Sequence, residues 1–323
     1  MRVVSGTEGT TLVFRFGDLC ETTLGIGNTQ LRLAIADREI AARDGLDYTP
    51  PVLQPVDLLT LPRTEAVGES GVPKPIEVGS EGKPMETLGV YVGAARYEFS
   101  FTLSQTASEI ILPHAGDLIT AFLDDVYCGT FVGDGGPLAI PLPENILLGA
   151  HTLRLRTEIW GHSNFHDERW QSARLGSLRG VWGIPAINGV ELRGEWRFAP
   201  QAEAFPNTTA KYEAIQGTVA AKGGESKRVT FDLSTLPDRS QGVLLTLSGS
   251  DVWGRIELGE RVVGRYLFGP SLPVALTGGP EDRFFLPREY LAKDNTLSLV
   301  THGAGDGGAI TAATLEVFTN AAS

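Results

Sequence analysis

Thr152-Leu153-Arg154-Leu155-Arg156-Thr157-Glu158-Ile159 alternates with a period of two, with Leu153, Leu155 and Ile159 on one side and Arg154, Arg156 and Glu158 on the other. This is the pattern of a strand with one face in a core and one outside it, because successive side chains on a pleated strand point in opposite directions. The next residues, W-G-H-S-N-F-H-D-E-R-W-Q-S-A-R-L-G-S-L-R-G-V-W from Trp160 to Trp182, hold three of the five tryptophans and two of the five histidines. Following such a strand, they read as the long loop of a β-sandwich.

Upstream, Ala121-Phe122-Leu123-Asp124-Asp125-Val126-Tyr127-Cys128-Gly129-Thr130-Phe131 places Asp124-Asp125 between two alternating runs, where a tight hairpin turn belongs. The stretch from Leu142 to Leu155, L-P-E-N-I-L-L-G-A-H-T-L-R-L, then turns into the strand quoted above. Both pieces recur. Leu286 to Leu299, L-P-R-E-Y-L-A-K-D-N-T-L-S-L, aligns with the second piece without a gap at an offset of 144 (Pro143 to Pro287). Ile256 to Tyr266 aligns with the hairpin at an offset of 135 (Gly129 to Gly264). The nine extra residues fall in the loop that holds Phe268-Gly269-Pro270 and Gly278-Gly279-Pro280. Loops absorb insertions and strands do not, so this is the expected trace of a duplicated sandwich.

The composition agrees with that reading. The 323 residues, 42% hydrophobic and 20% charged, are enough for several packed domains, and 39 glycines with 19 prolines punctuate short runs of Val, Leu, Thr and Phe. The expected class is all-β: tandem jelly-roll β-sandwiches, galactose-binding-domain-like, with a small N-terminal β module. A net charge of −12 argues against a nucleic-acid partner, which needs a cationic face. No run of 18 apolar residues suggests a membrane span, and the start, Met1 to Glu8, lacks the apolar core of a signal peptide, so a soluble chain is expected with its localisation unknown. Cys20 and Cys128 fall in different modules and are expected as free thiols. Asn207-Thr208-Thr209 fits a glycosylation sequon, a triplet common by chance.

Four segments follow. Residues 1–49 form a small β-rich module with strands over Thr11 to Gly17 and Gln30 to Ala36 and a helical turn from Asp37 to Arg43. Residues 50–84, with seven prolines among Gly, Glu and Ser, read as an extended connector. The two sandwiches take 85–200 and 201–323.

Several motifs carry a resemblance. Gly161-His162-Ser163-Asn164-Phe165 with Arg179-Gly180 resembles the "G-x-x-x-N … R/K-G-I" signature of the jelly-roll domains in glycoside hydrolase family 35 β-galactosidases. Pro84-Met85-Glu86-Thr87-Leu88 and Tyr97 to Phe101 resemble the way the chain enters those domains. Gly264-Arg265-Tyr266, Gly269-Pro270, Phe285-Leu286-Pro287 and Asn295 resemble the family's last domain, with Gly259-Glu260 replacing its Asn-Gly turn and Leu267 its Trp. The family works through two glutamates on a (β/α)₈ barrel, which takes about 250 residues of alternating strand and helix. Strands and turns fill this chain instead. The resemblance therefore implies the non-catalytic portion of such an enzyme, an accessory unit acting by carbohydrate recognition or by supporting a barrel on another chain. No catalytic carboxylate pair is recognised, so whether the chain is itself an enzyme stays open.

Two other readings stand beside it: a glycosidase with its own site made from Glu158, Asp167 or Glu168, and a structural scaffold that holds subunits together, including copies of itself. The candidate carbohydrate contacts are Trp160, His162, Asn164, His166, Asp167, Arg169 and Trp170, since an aromatic face suits the apolar face of a pyranose while Asn, His, Asp and Arg bond its hydroxyls. Trp160 and Trp170 can equally plug a core or an interface, and Trp182, Trp196 and Trp253 read as packing. His162 and His166 with Asp167 and Glu168 offer metal donors, or bond loop backbone. No organic cofactor is expected. A structural calcium is the ion that best suits sandwich loops, with no ligand set to name. Gly303 to Gly308 precedes a strand and reads as a hairpin loop.

Overall fold

A computed structural model describes residues 2–6, 9–13, 21–26, 29–34, 52–68, 71, 73–162, 178–200, 203–206, 210–236, 243–269, 282–291 and 295–319. The chain divides into two compact units, Met1–Leu53 with Phe318–Ser323, and Gln54–Val317. In the first, β1 (Arg2–Gly6), β2 (Gly9–Val13), β3 (Glu21–Ile26) and β4 (Thr29–Ala34) form a sheet in the order β1-β2-β4-β3. The helical turn expected over Asp37 to Arg43 lies outside the described residues.

The larger unit opens with β5 (Val52–Asp57) and β6 (Arg63–Val67). Then come β7 (Ile76–Gly79), β8 (Gly93–Leu103), β9 (Glu109–Leu112), β10 (His114–Leu123), β11 (Val126–Asp134), β12 (Leu138–Pro141) and β13 (Gly149–Ile159). Four shorter elements follow: β14 (Gly180–Trp182), β15 (Ala186–Ile187), β16 (Val190–Glu191) and β17 (Gly194–Pro200). The remainder is β18 (Val219–Lys222), β19 (Ser226–Asp232), β20 (Val243–Ser250), β21 (Val252–Leu258), β22 (Arg261–Phe268), β23 (Arg283–Leu286), the one-turn helix α1 (Arg288–Leu291), β24 (Thr296–Gly303) and β25 (Gly307–Thr319).

These strands make two sandwiches. The first sets a seven-stranded sheet, β11-β10-β13-β8-β17-β7 with β14 beside β10, over the smaller β12-β9-β15-β16 sheet. Its core holds Tyr97, Phe99, Phe101, Leu153, Leu155, Trp196 and Phe198, the inward members of alternating strands. The second sets β22-β21-β24-β19-β6 over β18-β25-β20-β23, with β5 beside β25, around Val229, Phe231, Leu245, Ile256, Tyr266 and Leu299. The all-β class is thus as expected, and Trp196 and Trp253 are buried packing residues. Gly303 to Gly308 is not the hairpin loop expected: β24 and β25 belong to different sheets, and the segment carries the chain from one sheet of the second sandwich to the other.

Strand register bears out the duplication. Leu118 pairs Glu158 between β10 and β13, and the residues 135 and 144 positions on, Trp253 and His302, pair between β21 and β24. The irregularity between Ala121 and Phe122 recurs between Ile256 and Glu257, the aligned positions. Asp124 and Asp125 take φ of 48° and 69° in the first hairpin turn, and Gly259 takes 59° in the second. These are the left-handed conformations that a tight hairpin requires.

Residues 50–84 do more than connect. β6 pairs with β19 and β5 with β25, while β7 pairs with β17 of the other sandwich. Leu58, Leu59 and Leu61 are buried in the second core, in and just after a 3₁₀ turn capped by Asp57, whose carboxylate accepts the Leu59 N–H. The prolines mislead because a strand bonded on one side tolerates Pro55, and because the pairing partners lie far along the chain. Leu58→Ala is therefore expected to cost about 2–5 kcal/mol in urea denaturation, where a leucine in a solvated linker would cost almost nothing.

Candidate functional site

Three polar assemblies lie along β13, one near each end and one on its outward face between them. At the Ile159 end the family-like motifs converge. The Met85 N–H bonds the Arg179 carbonyl at 2.9 Å, and the Arg179 N–H bonds the Glu86 carboxylate at 3.0 and 3.1 Å. His162 Nε2 lies 2.8 Å from Glu86 Oε1. Gly180, at φ +87°, follows Arg179 because a methyl there would collide with the Tyr97 hydroxyl and Met85 Cγ. The Arg179 guanidinium turns inward to Asp117, Nε to Oδ2 at 2.8 Å, and its Nη2 bonds the Gly161 carbonyl at 2.9 Å. Asp117 Oδ2 also accepts the Trp160 N–H at 2.9 Å. Burial pushes the Asp117 carboxyl up, against the pull of Arg179 and of the Trp160 and Gly161 N–H groups.

Trp160 itself is half-buried against Leu118, Trp253, Leu267 and Ala304, with Val132 beside it. Its indole belongs to the contact between the sandwiches. His162 is 41% exposed. Asn164, His166, Asp167, Arg169 and Trp170 lie outside the described residues, as does Glu168. Trp182 stacks on His114, with ring centroids 5.1 Å apart.

Midway along β13, polar residues expected to face solvent are enclosed between the sandwiches. Arg156 Nη2 lies 2.8 Å from Glu158 Oε2, 2.7 Å from Glu203 Oε1 and 3.1 Å from His302 Nε2. Its guanidinium carbon sits 4.8 Å from the centroid of the Trp253 ring. Arg255 bonds Glu203 Oε1 at 2.9 Å and Glu257 Oε1 at 2.7 Å, Arg228 bonds Glu257 Oε2 at 2.7 Å, and Arg265 Nε lies 3.9 Å from Glu158 Oε1. Burial alone would raise the Glu203 carboxyl, but the Arg156 and Arg255 guanidinium groups hold it well below the usual carboxylate range. Glu158, Glu203 and His302 offer donor atoms within 4.8 Å of one another, a spacing that suits a metal ion. Arg156 Nη2 already sits among those donors, so the set is engaged by an internal cation. The same bonding commits Glu158, one of the carboxylates considered for a reaction centre.

At the Thr152 end lies a cleft of about 490 Å³ lined by Ser100, Thr102, Asp124, His151, Thr152 and Arg193, among others. An adjoining cleft of about 420 Å³ shares Thr102 and Arg193 and adds Gln105, Val190 and Glu191. Asp124 Oδ1 accepts the Thr152 N–H at 2.8 Å, and Oδ2 lies 2.6 Å from His151 Nδ1. His151 Nε2 lies 2.7 Å from the Leu147 carbonyl. Both ring nitrogens thus face acceptors, the arrangement of a doubly protonated imidazolium. Burial works against that charge, but the Asp124 and Leu147 bonds outweigh it and raise the His151 pKa above its ordinary 6.5. Asp124 is correspondingly lowered. Neither cleft was singled out from the sequence, where Asp124 served only as a turn residue.

Cys128 carries a free thiol, pushed up by burial; Cys20 lies outside the described residues. Among the described residues no helix is long and apolar enough to cross a membrane.

Two outcomes test these assemblies. Arg179→Met strands Asp117 and should cost about 3–5 kcal/mol, with the Asp117→Asn/Arg179→Met double variant losing less than the two single losses combined in a denaturation cycle. His151 should titrate above 6.5 by NMR and return toward it in Asp124→Asn. Because its folded pKa is raised, the His151–Asp124 contribution to stability is full below 6.5 and lost as pH rises through that raised value.

No protein-family profile matches the chain, and no curated protein does. Solved structures similar to parts of it include a GH2 β-galacturonidase from Eisenbergiella tayi bound to galacturonate (14% identity, 75% of this chain, 38% of that one, TM-score 0.25). Others are a β-glucuronidase from Ruminococcus gnavus in complex with D-glucuronic acid (13%, 75% and 40%, 0.25) and a lectin from Pleurotus ostreatus in complex with GalNAc (13%, 84% and 82%, 0.21). The chain spans about two fifths of the glycosidase chains it matches. At such TM-scores the description as paired sandwiches rests on the strand pairing above.

Proposed function

We propose that the chain is a carbohydrate-recognition unit, without a reaction centre of its own, of the kind that accompanies the catalytic barrel of a β-galactosidase-type glycoside hydrolase. The observation that carries this reading is the pair of adjoining clefts at the Thr152 end of β13. A saccharide presents hydroxyls that both donate and accept, and the clefts answer with the hydroxyls of Ser100, Thr102 and Thr152, the Arg193 guanidinium, and the Gln105 and Glu191 side chains. Val190, 61% exposed, supplies apolar surface beside them. The motif resemblance adds galactosides as the class to try first, and a barrel on another chain as the partner.

The loop after Ile159 is a second contact region in this reading, through Trp160, His162, Asn164, His166, Asp167, Arg169 and Trp170. His162 favours it, exposed at the rim and held by Glu86. The engagement of Glu158 and Glu203 by Arg156 supports a non-catalytic role, because a retaining glycosidase needs two carboxyl groups free to face the sugar.

Titration with methyl β-galactoside, followed by backbone amide shifts, should perturb Ser100, Thr102, His151 and Arg193, and Arg193→Ala should weaken binding by roughly tenfold, the worth of one charge-assisted hydrogen bond. No perturbation with galactosides, glucosides or uronides would remove the carbohydrate reading. Turnover of a nitrophenyl β-galactoside by the purified chain would remove the non-catalytic one.

A further inference from the structure

His302 is enclosed where the two sandwiches meet, at 2% exposure. Ser226 Oγ of β19 lies 2.8 Å from its Nδ1, and the Trp253 ring of β21 packs against its ring at a tilt of 32° with centroids 4.3 Å apart. Arg156 of β13 approaches Nε2 at 3.1 Å. A guanidinium only donates, so Nε2 accepts, the ring proton sits on Nδ1 facing Ser226, and the imidazole is neutral. Among the described residues, the ionic groups of this interface are Arg156 and Glu158 of β13, Glu203 from the segment 203–206, Arg228 of β19, Arg255 and Glu257 of β21 and Arg265 of β22.

Four guanidinium groups therefore face three carboxylates, and a neutral His302 leaves one excess positive charge. A proton on Nε2 adds a second and turns an acceptor into a donor against the Arg156 N–H. The acceptor nearest that proton is Glu203 Oε1 at 3.4 Å, which already receives Arg156 at 2.7 Å and Arg255 at 2.9 Å. Each sandwich has its own core, and the chain passes between them only after β6 and after β17, so the contact can open while both cores stay closed.

We propose that this interface is an acid-released latch: protonation of His302 breaks its bond to Arg156 and lets the two sandwiches part, uncovering Trp253 and the arginine–glutamate faces.

Burial, and then Arg156, lower the His302 pKa from 6.5 to about 4. The parted form takes up the proton more readily than the closed one. The closed form is therefore fully favoured above pH 6.5 and loses ground as pH falls through 6.5 toward 4, the closed-to-open ratio dropping by about 300-fold in all once the pH is below both values, for a shift of that size.

The test uses the full chain. Small-angle scattering and tryptophan fluorescence are recorded from pH 7.5 to 3.5 beside far-UV circular dichroism, with the His302 ring followed by NMR. The latch predicts that the radius of gyration and the Trp253 environment change together with His302 protonation while the far-UV signal holds. It also predicts that His302→Gln, whose amide can accept from Arg156 and takes up no proton, stays closed over the same range. Expansion of His302→Gln at the same pH as the unaltered chain would overturn the proposal. If that variant fails to fold, the unaltered chain still decides: protonation of His302 with no change in radius refutes the latch, and so does loss of the far-UV signal in the same step.

Discussion

The two sandwiches are joined by a charged contact that has to be satisfied without water. Arg156 is 8% exposed and Glu158 1% exposed, on the face of a strand that a free-standing sandwich would leave wet. Desolvating such groups costs several kcal/mol per ion, and the cost is offset only where geometry is close and partners are many. Arg156 meets that condition at one nitrogen, Nη2, and by lying over the Trp253 ring; its Nε and Nη1 find no hydrogen-bond partner among the described residues. The value of the network is thus less in net stabilisation than in alignment, since a contact displaced by a few ångströms would leave buried charges unpaired.

The duplication explains why these faces meet at all. The apolar part of the contact is drawn from equivalent positions of the two repeats: Leu118 and Trp253, Val132 and Leu267, and Trp160 and Ala304. Each sandwich presents the same sheet face to the other, as the halves of a symmetric dimer do. Glu158 and His302 also occupy equivalent positions. Two carboxylates there would repel across the contact; a glutamate opposite a neutral imidazole, with Arg156 between them, does not. The symmetry is broken where charge would otherwise accumulate.

The same strand gives the two ends of the first sandwich different chemistry. At the Ile159 end Glu86, His162, Asp117 and Arg179 are drawn together with backbone groups to seat the departing loop, and most of their polar atoms serve the fold. At the Thr152 end the Asp124–His151 pair is committed internally, and hydroxyls and Arg193 line open clefts. A motif that stands out in a sequence can therefore mark where the chain is held, while the open clefts are lined by less conspicuous strand residues.

Much of the fold was legible because alternation, hairpin turns and internal repetition are local or can be compared along the chain. The two-residue period of Thr152 to Ile159, the Asp124-Asp125 turn and the offsets of 135 and 144 all reappear as strands, positive φ angles and matched registers. The strands hidden in the proline-rich 50–84 segment were not legible, since their partners lie far off in sequence. Nor was the site: the Trp160 indole reads equally well as a sugar platform or a plug, and what half-buries it is the second sandwich, whose residues lie far along the chain. By itself the sequence determined which residues of each strand point the same way. Only the tertiary structure decided whether that direction led to water or to another sheet, because burial of a polar face depends on what docks against it and leaves no periodic mark.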